Sequence, residues 1–284
     1  MRIGLQIHLY KQVGAPIDMG RVLGETAQAA ENAGFYSLWV LDHFFQMEGA
    51  GAVDEPMLEA YTTLGYLAAL TQQIKLGVMV TGVIYRYPAI LVKMLTTLDV
   101  LSGGRCYLGI GAAWYEREAR GLGIPFPSTG ERFERLEETL QIAHRMLSGD
   151  RQPYQGKHYR LDEPINEPRI GRPPILIGGM GEQKTLRLVA RYGDACNLDG
   201  GVSDEVLRHK LEVLRGHCMD IGRNFENIEK TVICHVSNPH DVESVIKRCH
   251  TLHLIGFQQV MFNMPTWSAL DLWGREVIPA VATL

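Results

Sequence analysis

The chain has 284 residues, 46% of them hydrophobic and 21% charged, with a formal net charge of −4. This is enough apolar material for a sizeable core, in either two ordinary domains or one large α/β barrel. The composition argues against nucleic-acid binding, because no basic stripe stands out, and against a membrane span, because no window reaches a run of about 18 apolar residues.

Met1-Arg2-Ile3-Gly4-Leu5 leads directly into a strand, so no signal peptide is expected. Apolar, β-branched runs then alternate with stretches of helical spacing. The pattern predicts a strand over 3–8, a helix over 19–33 that Gly34 stops, a strand over 37–42 and a helix over 57–71. It continues with a strand over 74–81, a helix over 88–101 with Pro88 in its first turn, a strand over 105–110 and a helix over 131–147. The stretch 151–174, with five prolines and a turn candidate at Gln155-Gly156, breaks the rhythm and reads as an irregular excursion over the surface. Strands over 175–177, 195–198, 228–236 and 258–263 then alternate with helices over 182–191, 204–221, 241–254 and 270–281.

About eight β-then-α units close most simply into a single (β/α)8 TIM barrel spanning residues 1–284. A doubly wound open sheet is the competitor. It normally carries Gly-x-Gly-x-x-Gly after the first strand, where this chain reads His8-Leu9-Tyr10-Lys11-Gln12-Val13-Gly14. Cys106, Cys196, Cys218, Cys234 and Cys249 are odd in number and scattered, so they read as thiols in a reducing compartment. The expected location is the cytoplasm.

In such a barrel, chemistry collects in the loops after the strand C-termini. His8 follows the first strand and Asp42-His43-Phe44 the second. An imidazole at the rim can meet a ligand and exchange a proton near neutral pH. Gly178-Gly179-Met180-Gly181 follows Ile175-Leu176-Ile177 and precedes a helix expected to begin near Glu182, a setting suited to a phosphate group. Gly109–Gly111 and Gly200–Gly201 mark two more loops that leave room for a flat ring system. A metal site is not expected, since the first strand offers one imidazole in Gln6-Ile7-His8, where metal-dependent hydrolase barrels carry His-x-His. No Gly-x-Ser-x-Gly elbow is present. Glu131, Glu134, Glu137 and Glu138 read as the solvated face of a helix.

With these residues placed, the chain resembles the bacterial luciferase-like superfamily, and within it the oxidoreductases that use the deazaflavin coenzyme F420. The stretches that carry the likeness are Ser37–Phe44, Leu76–Gly82, Tyr87-Pro88-Ala89, Thr97–Arg105, Leu108–Glu116 and Ile175–Arg187. Beyond residue 200 the similarity is mainly one of layout. The resemblance implies a commonly dimeric (β/α)8 barrel holding flavin or deazaflavin at its mouth. It implies His43 as the catalytic group beside the reactive ring carbon, and a non-proline cis peptide at Met79-Val80. The implied cofactor-binding set is Asp42, Met79, Val80, Thr81, Gly111, Tyr115, Gly178, Gly179, Met180 and Gly181. Arg86, Arg172, Lys184 and Arg187 are the candidates for the anionic cofactor tail.

Two departures bear on the substrate. Sugar-phosphate dehydrogenases of the family carry a carboxylate where this chain has Ala112, and many relatives carry an asparagine where it has Tyr115. Glucose 6-phosphate is therefore disfavoured. The insert Gln46–Asp54 with Trp114, Tyr115 and Phe126 points to a largely apolar organic substrate. The expected function is F420-dependent hydride transfer. An FMN-dependent two-component monooxygenase fed by a flavin reductase is the first alternative, and a binding protein without turnover the second.

Overall fold

Eight short parallel strands close on themselves in the computed structural model, which describes residues 1–8 and 10–284. The barrel strands are β1 (Arg2–Ile7), β2 (Ser37–Val40), β3 (Lys75–Val78), β4 (Cys106–Gly111), β5 (Ile175–Gly178), β6 (Ala195–Asp199), β7 (Glu229–His235) and β8 (Gln259–Asn263). Each pairs with the next in sequence. β8 returns to β1, from Arg2 opposite Gln259 to Gln6 opposite Asn263. Parallel neighbours need a long return connection, and the helices between the strands supply it. The expected single barrel is therefore the observed fold.

The lumen is filled by Trp39, Tyr107, Leu176 and Met261. Trp39 lies so close to β3 that a Cβ on Gly77 would fall 2.3 Å from its ring, so a side chain there would displace the indole. A plugged lumen leaves the strand ends as the place where a cavity can open. The second, larger core lies between the strands and the helices outside them.

At two helices a side-chain cap sets the start. The helices are α1 (Met19–Asn32), α2 (Ala60–Leu70), α3 (Pro88–Ser102), α4 (Glu116–Gly121), α5 (Thr129–Ser148), α6 (Thr185–Tyr192), α7 (Asp204–Asp220) and α8 (Val242–Ile255). α2 begins later than the periodicity suggests because the Glu59 carboxylate accepts from the Tyr61 and Thr62 amides. α5 begins earlier, at Thr129, because Ser128 caps it through the Glu131 amide. The closing segment is not the continuous helix expected over 270–281. It is a short helix, a π-helical turn over Trp273–Val277 and a last turn over Ile278–Val281. Pro279 has no amide to continue a regular ladder, and the Trp273 indole is drawn inward to donate to the Pro239 carbonyl at 2.7 Å.

The excursion over 151–174 is anchored on α5. It carries a small antiparallel pair, Tyr154–Gln155 with Arg160–Leu161. The carboxylate of Glu138 accepts from the Lys157, His158 and Tyr159 amides at 2.7, 3.1 and 3.0 Å. Glu138 is buried, so the reading of it as part of a solvated face fails. Glu131, Glu134 and Glu137 keep partly exposed ion pairs on that helix. Among the described residues no helix is long and apolar enough to cross a membrane.

Candidate active site

A cavity of about 490 Å³ opens at the C-terminal ends of the barrel strands. His43, from the end of β2, and Gly178 and Gly179, from the end of β5, line this one space. Asp42, Met79, Val80, Thr81 and Gly111 line it as well. The Met79-Val80 peptide is cis, and the Gln6 amide donates to the Met79 carbonyl at 3.2 Å. Two glycines make room for Val80. A Cβ on Gly178 would lie 2.8 Å from Val80 Cγ1, and one on Gly111 2.9 Å from its Cγ2. Gly179 has φ +121°, a conformation that side chains rarely adopt.

Three members of the expected set do not line the cavity. Tyr115 is buried behind His43, its ring edge-on to the imidazole at 5.8 Å and its hydroxyl donating to the Gln46 carbonyl. The Met180 sulfur accepts from the Asp199 amide at 3.4 Å. Gly181 precedes α6, which starts at Thr185 and not at Glu182. Glu182 instead binds Lys210 and His209 from α7. Thr185 is the α6 residue that reaches the cavity. Phe126 does not line it either, lying under the guanidinium of Arg132 at 4.1 Å. Met47 and Trp114 are the lining residues that the insert and the aromatic run provide.

The Asp42 carboxylate is fully engaged. Arg86 donates to both its oxygens, at 2.7 and 2.9 Å, and the Gly82 amide adds a third bond at 3.2 Å. Arg86 also binds the Glu59 carboxylate. Burial pushes the Asp42 carboxyl up, against the opposing pull of Arg86. Burial lowers Arg86, but Asp42 and Glu59 outweigh it and hold the guanidinium far above its ordinary range. Arg86 is thus a partner of Asp42 rather than a free cation for a cofactor tail. Arg172 is excluded more simply. It pairs with Asp194, whose other contact is the amide of Ile175 at the start of β5, the far end of the barrel. Lys184 lies over Phe133, a lining residue, at 5.3 Å, and Arg187 is exposed on α6.

A residue absent from the expected set organises the His43 loop. Glu118, in α4, is wholly buried. Its carboxylate accepts from His43 Nδ1 at 3.2 Å, from the Phe44 and Phe45 amides and from the Tyr85 hydroxyl. Burial would raise its pKa, yet the bonds from His43, Phe45 and Tyr85 together hold it below the usual carboxylate value. The Tyr85 phenol is pushed up, by burial first and then by Glu118, so it keeps its proton.

Across the cavity mouth, His235 at the end of β7 accepts from the Asn263 amide at 3.3 Å. Asn263 is buried, and its Oδ1 has no hydrogen-bond partner among the described residues. The His8 ring lies edge-on to His235 at 6.4 Å, and burial pushes its pKa down to about 4. Another depression, about 620 Å³ and lined by His240, Asp241, Glu243 and Leu272, shares none of these groups.

This arrangement can be set beside known proteins. Residues 5–265 match the family model described as luciferase-like monooxygenase. The chain belongs to the luciferase-like monooxygenase family. The match continues past residue 200, where the sequence offered only a likeness of layout, to just beyond β8. One relative is the F420-dependent glucose-6-phosphate dehydrogenase of Nakamurella multipartita, 30% identical over 228 residues that make up 79% of this chain and 66% of that protein. The chain spans about two thirds of the length of the curated relatives it matches (64–66% for the first three). Among solved structures, an F420-dependent secondary alcohol dehydrogenase in complex with an F420–acetone adduct superposes with a TM-score of 0.81. Its identity is 20%, and the match covers 99% of this chain and 98% of that one. A monooxygenase from Streptomyces bottropensis gives a TM-score of 0.78 at 17% identity, over 98% of this chain and 99% of that one. At these identities the two structures support the luciferase-like barrel fold.

Proposed function

We propose that this chain is an F420-dependent oxidoreductase that moves a hydride between the deazaflavin and a neutral, largely apolar organic substrate. The observation that carries the proposal is a single cavity bordered at one strand end by His43 and at another by Gly178, Gly179 and Thr185. The relatives' F420-dependent activities support it. The cavity suits the group in three respects. Its volume lies within the range of small-molecule sites. Its glycine-lined edge has no side chain to bar a phosphate. The buried, unpartnered Asn263 Oδ1 offers an acceptor to a ring N–H.

When bound, the deazaflavin supplies the hydride chemistry at its central ring carbon. The chain's own residues hold the ring and handle the accompanying proton. In this reading His43 Nε2 gives or takes that proton at the face of the ring where the substrate lies. Gly178, Gly179 and Thr185 border the phosphate position. Asp42, Met79, Val80, Thr81 and Gly111 shape the wall behind the ring, with Tyr115, Met180 and Gly181 as support behind the lining.

The substrate class follows from charge. Arg132 is the one Lys or Arg among the described lining residues. Its guanidinium already donates to the Ala112 and Pro127 carbonyls and the Thr129 hydroxyl. With Ala112 also replacing a carboxylate, a sugar phosphate meets no Lys or Arg that is without protein partners among the described lining residues. Glucose 6-phosphate is expected to leave F420 unreduced.

Titration of the purified chain followed by absorbance tests the cofactor reading. Micromolar-class binding of F420 with weaker FMN binding is expected. Equal or tighter FMN binding, with oxygen uptake on addition of reduced FMN, would favour the two-component monooxygenase that the family's description also covers. Under the F420 reading a separate reductase renews the cofactor, the chain acts in the cytoplasm, and it pairs as a homodimer, for which sedimentation at micromolar concentration should return twice the chain mass.

A further inference from the structure

We infer that Glu118 is a positioning residue that fixes His43 as its Nδ1–H tautomer and turns Nε2 to the cavity. A carboxylate can only accept, so the ring nitrogen 3.2 Å from Glu118 Oε1 must carry the proton. His43 lines the cavity, and its Nε2 has no hydrogen-bond partner among the described residues. The ring therefore presents one exchangeable nitrogen to whatever occupies the cavity.

Glu118 is held as firmly as the imidazole it holds. Two successive backbone amides, of Phe44 and Phe45, donate to Oε2, while Tyr85 shares Oε1 with His43. Charge-assisted bonds from four donors compensate the burial of the anion. One carboxylate so ties the loop after β2 to the segment after β4 and to the turn after Thr81–Gly82. The aromatic surroundings restrict the ring further, with Trp114 edge-on at 5.4 Å and Tyr115 at 5.8 Å. The titratable groups facing His43 are Glu118 and Tyr115 from the segment after β4 and Tyr85 through its bond to Glu118. The Asp42–Arg86–Glu59 group lies at the adjoining residue. Of these, Glu118 alone makes a hydrogen bond to the imidazole.

The functional meaning rests on the reading of His43 as the proton-handling group, whereas the tautomer itself needs no cofactor. The test is accordingly made on the chain without added ligand, by nitrogen-15 NMR of labelled histidines, with His43 assigned by its loss in His43→Gln. The neutral ring is expected to carry its proton on Nδ1. In Glu118→Gln the anion is gone and the amide can either accept or donate, so the two tautomers should mix, read as averaged Nδ1 and Nε2 shifts. Tyr85→Phe should keep the Nδ1–H form, because the carboxylate stays in place. A wild-type ring protonated on Nε2, or an unchanged tautomer in a folded Glu118→Gln, overturns the inference. If Glu118→Gln fails to fold, the wild-type and Tyr85→Phe spectra still decide it. The Nδ1–H form alongside failed F420 binding would remove the cofactor reading and leave Glu118 in its role.

Discussion

Buried charges constrain this site more than any other residues, because each must find its partners or be destabilising. Asp42 illustrates the cost. Arg86→Ala would leave its carboxylate in the wall of the cavity with only the Gly82 amide as a donor. Breaking a buried pair of this kind is expected to destabilise the fold by about 3–5 kcal/mol, read as a lowered urea midpoint. A loss below about 1 kcal/mol would mean that the guanidinium is not the main support of Asp42. His43 and Asp42 were legible in the sequence because an Asp-His pair ends an apolar run of strand length. Glu118 was not. In Glu116-Arg117-Glu118-Ala119-Arg120 it looks like one charge of a solvated face, and its burial depends on a partner 75 residues earlier that arrives only when the barrel closes. Arg86 was visible as a basic residue near the mouth, but its pairing with Asp42 and Glu59 was not.

Between elements, the close approaches that shape the mouth are set by glycine. A Cβ on Gly109 would fall 1.8 Å from the Val78 carbonyl oxygen, a backbone atom that cannot turn aside. At Gly178 the obstacle is the Val80 side chain, at 2.8 Å. Gly109→Ala should therefore disrupt the β3–β4 pairing and abolish soluble folded protein. Gly178→Ala should fold with a loss of about 1–3 kcal/mol and bind F420 more weakly. Soluble yield of both variants, with thermal unfolding of the Gly178 variant, checks the order, and a Gly178 variant that yields less folded protein than the Gly109 variant would refute it. The run of glycines after β5 was readable as a loop of special shape, but the sequence could not show that Gly178 accommodates Val80. Helix limits were displaced where a cap overrode periodicity, as at Glu59 and Ser128, and α6 started three residues after the expected Glu182.

For the molecule as a whole, the alternation of apolar runs with helical spacing was sufficient to predict a closed barrel, since parallel strands with covering helices have few other ways to bury both faces. The acid stability of that barrel carries a specific signature. His8 is held neutral in the folded chain to about pH 4, whereas an unfolded histidine takes up its proton near 6.5. Between those values the unfolded state binds more protons, so stability falls as the pH is lowered through the window, by about 2–3 kcal/mol. Glu118, held below its ordinary value, adds a loss in the same direction at lower pH. His8→Gln should flatten the dependence of the urea midpoint between pH 6.5 and 4, and an unaltered slope would remove His8 as its source. Under the proposed function, His43 and the Gly178–Thr185 edge serve one bound deazaflavin. A crystal structure of the chain with F420 tests it most directly. The central ring carbon is expected beside His43 Nε2, with the phosphate against Gly179 and Thr185. A ring bound elsewhere, or with its phosphate away from that edge, would contradict it.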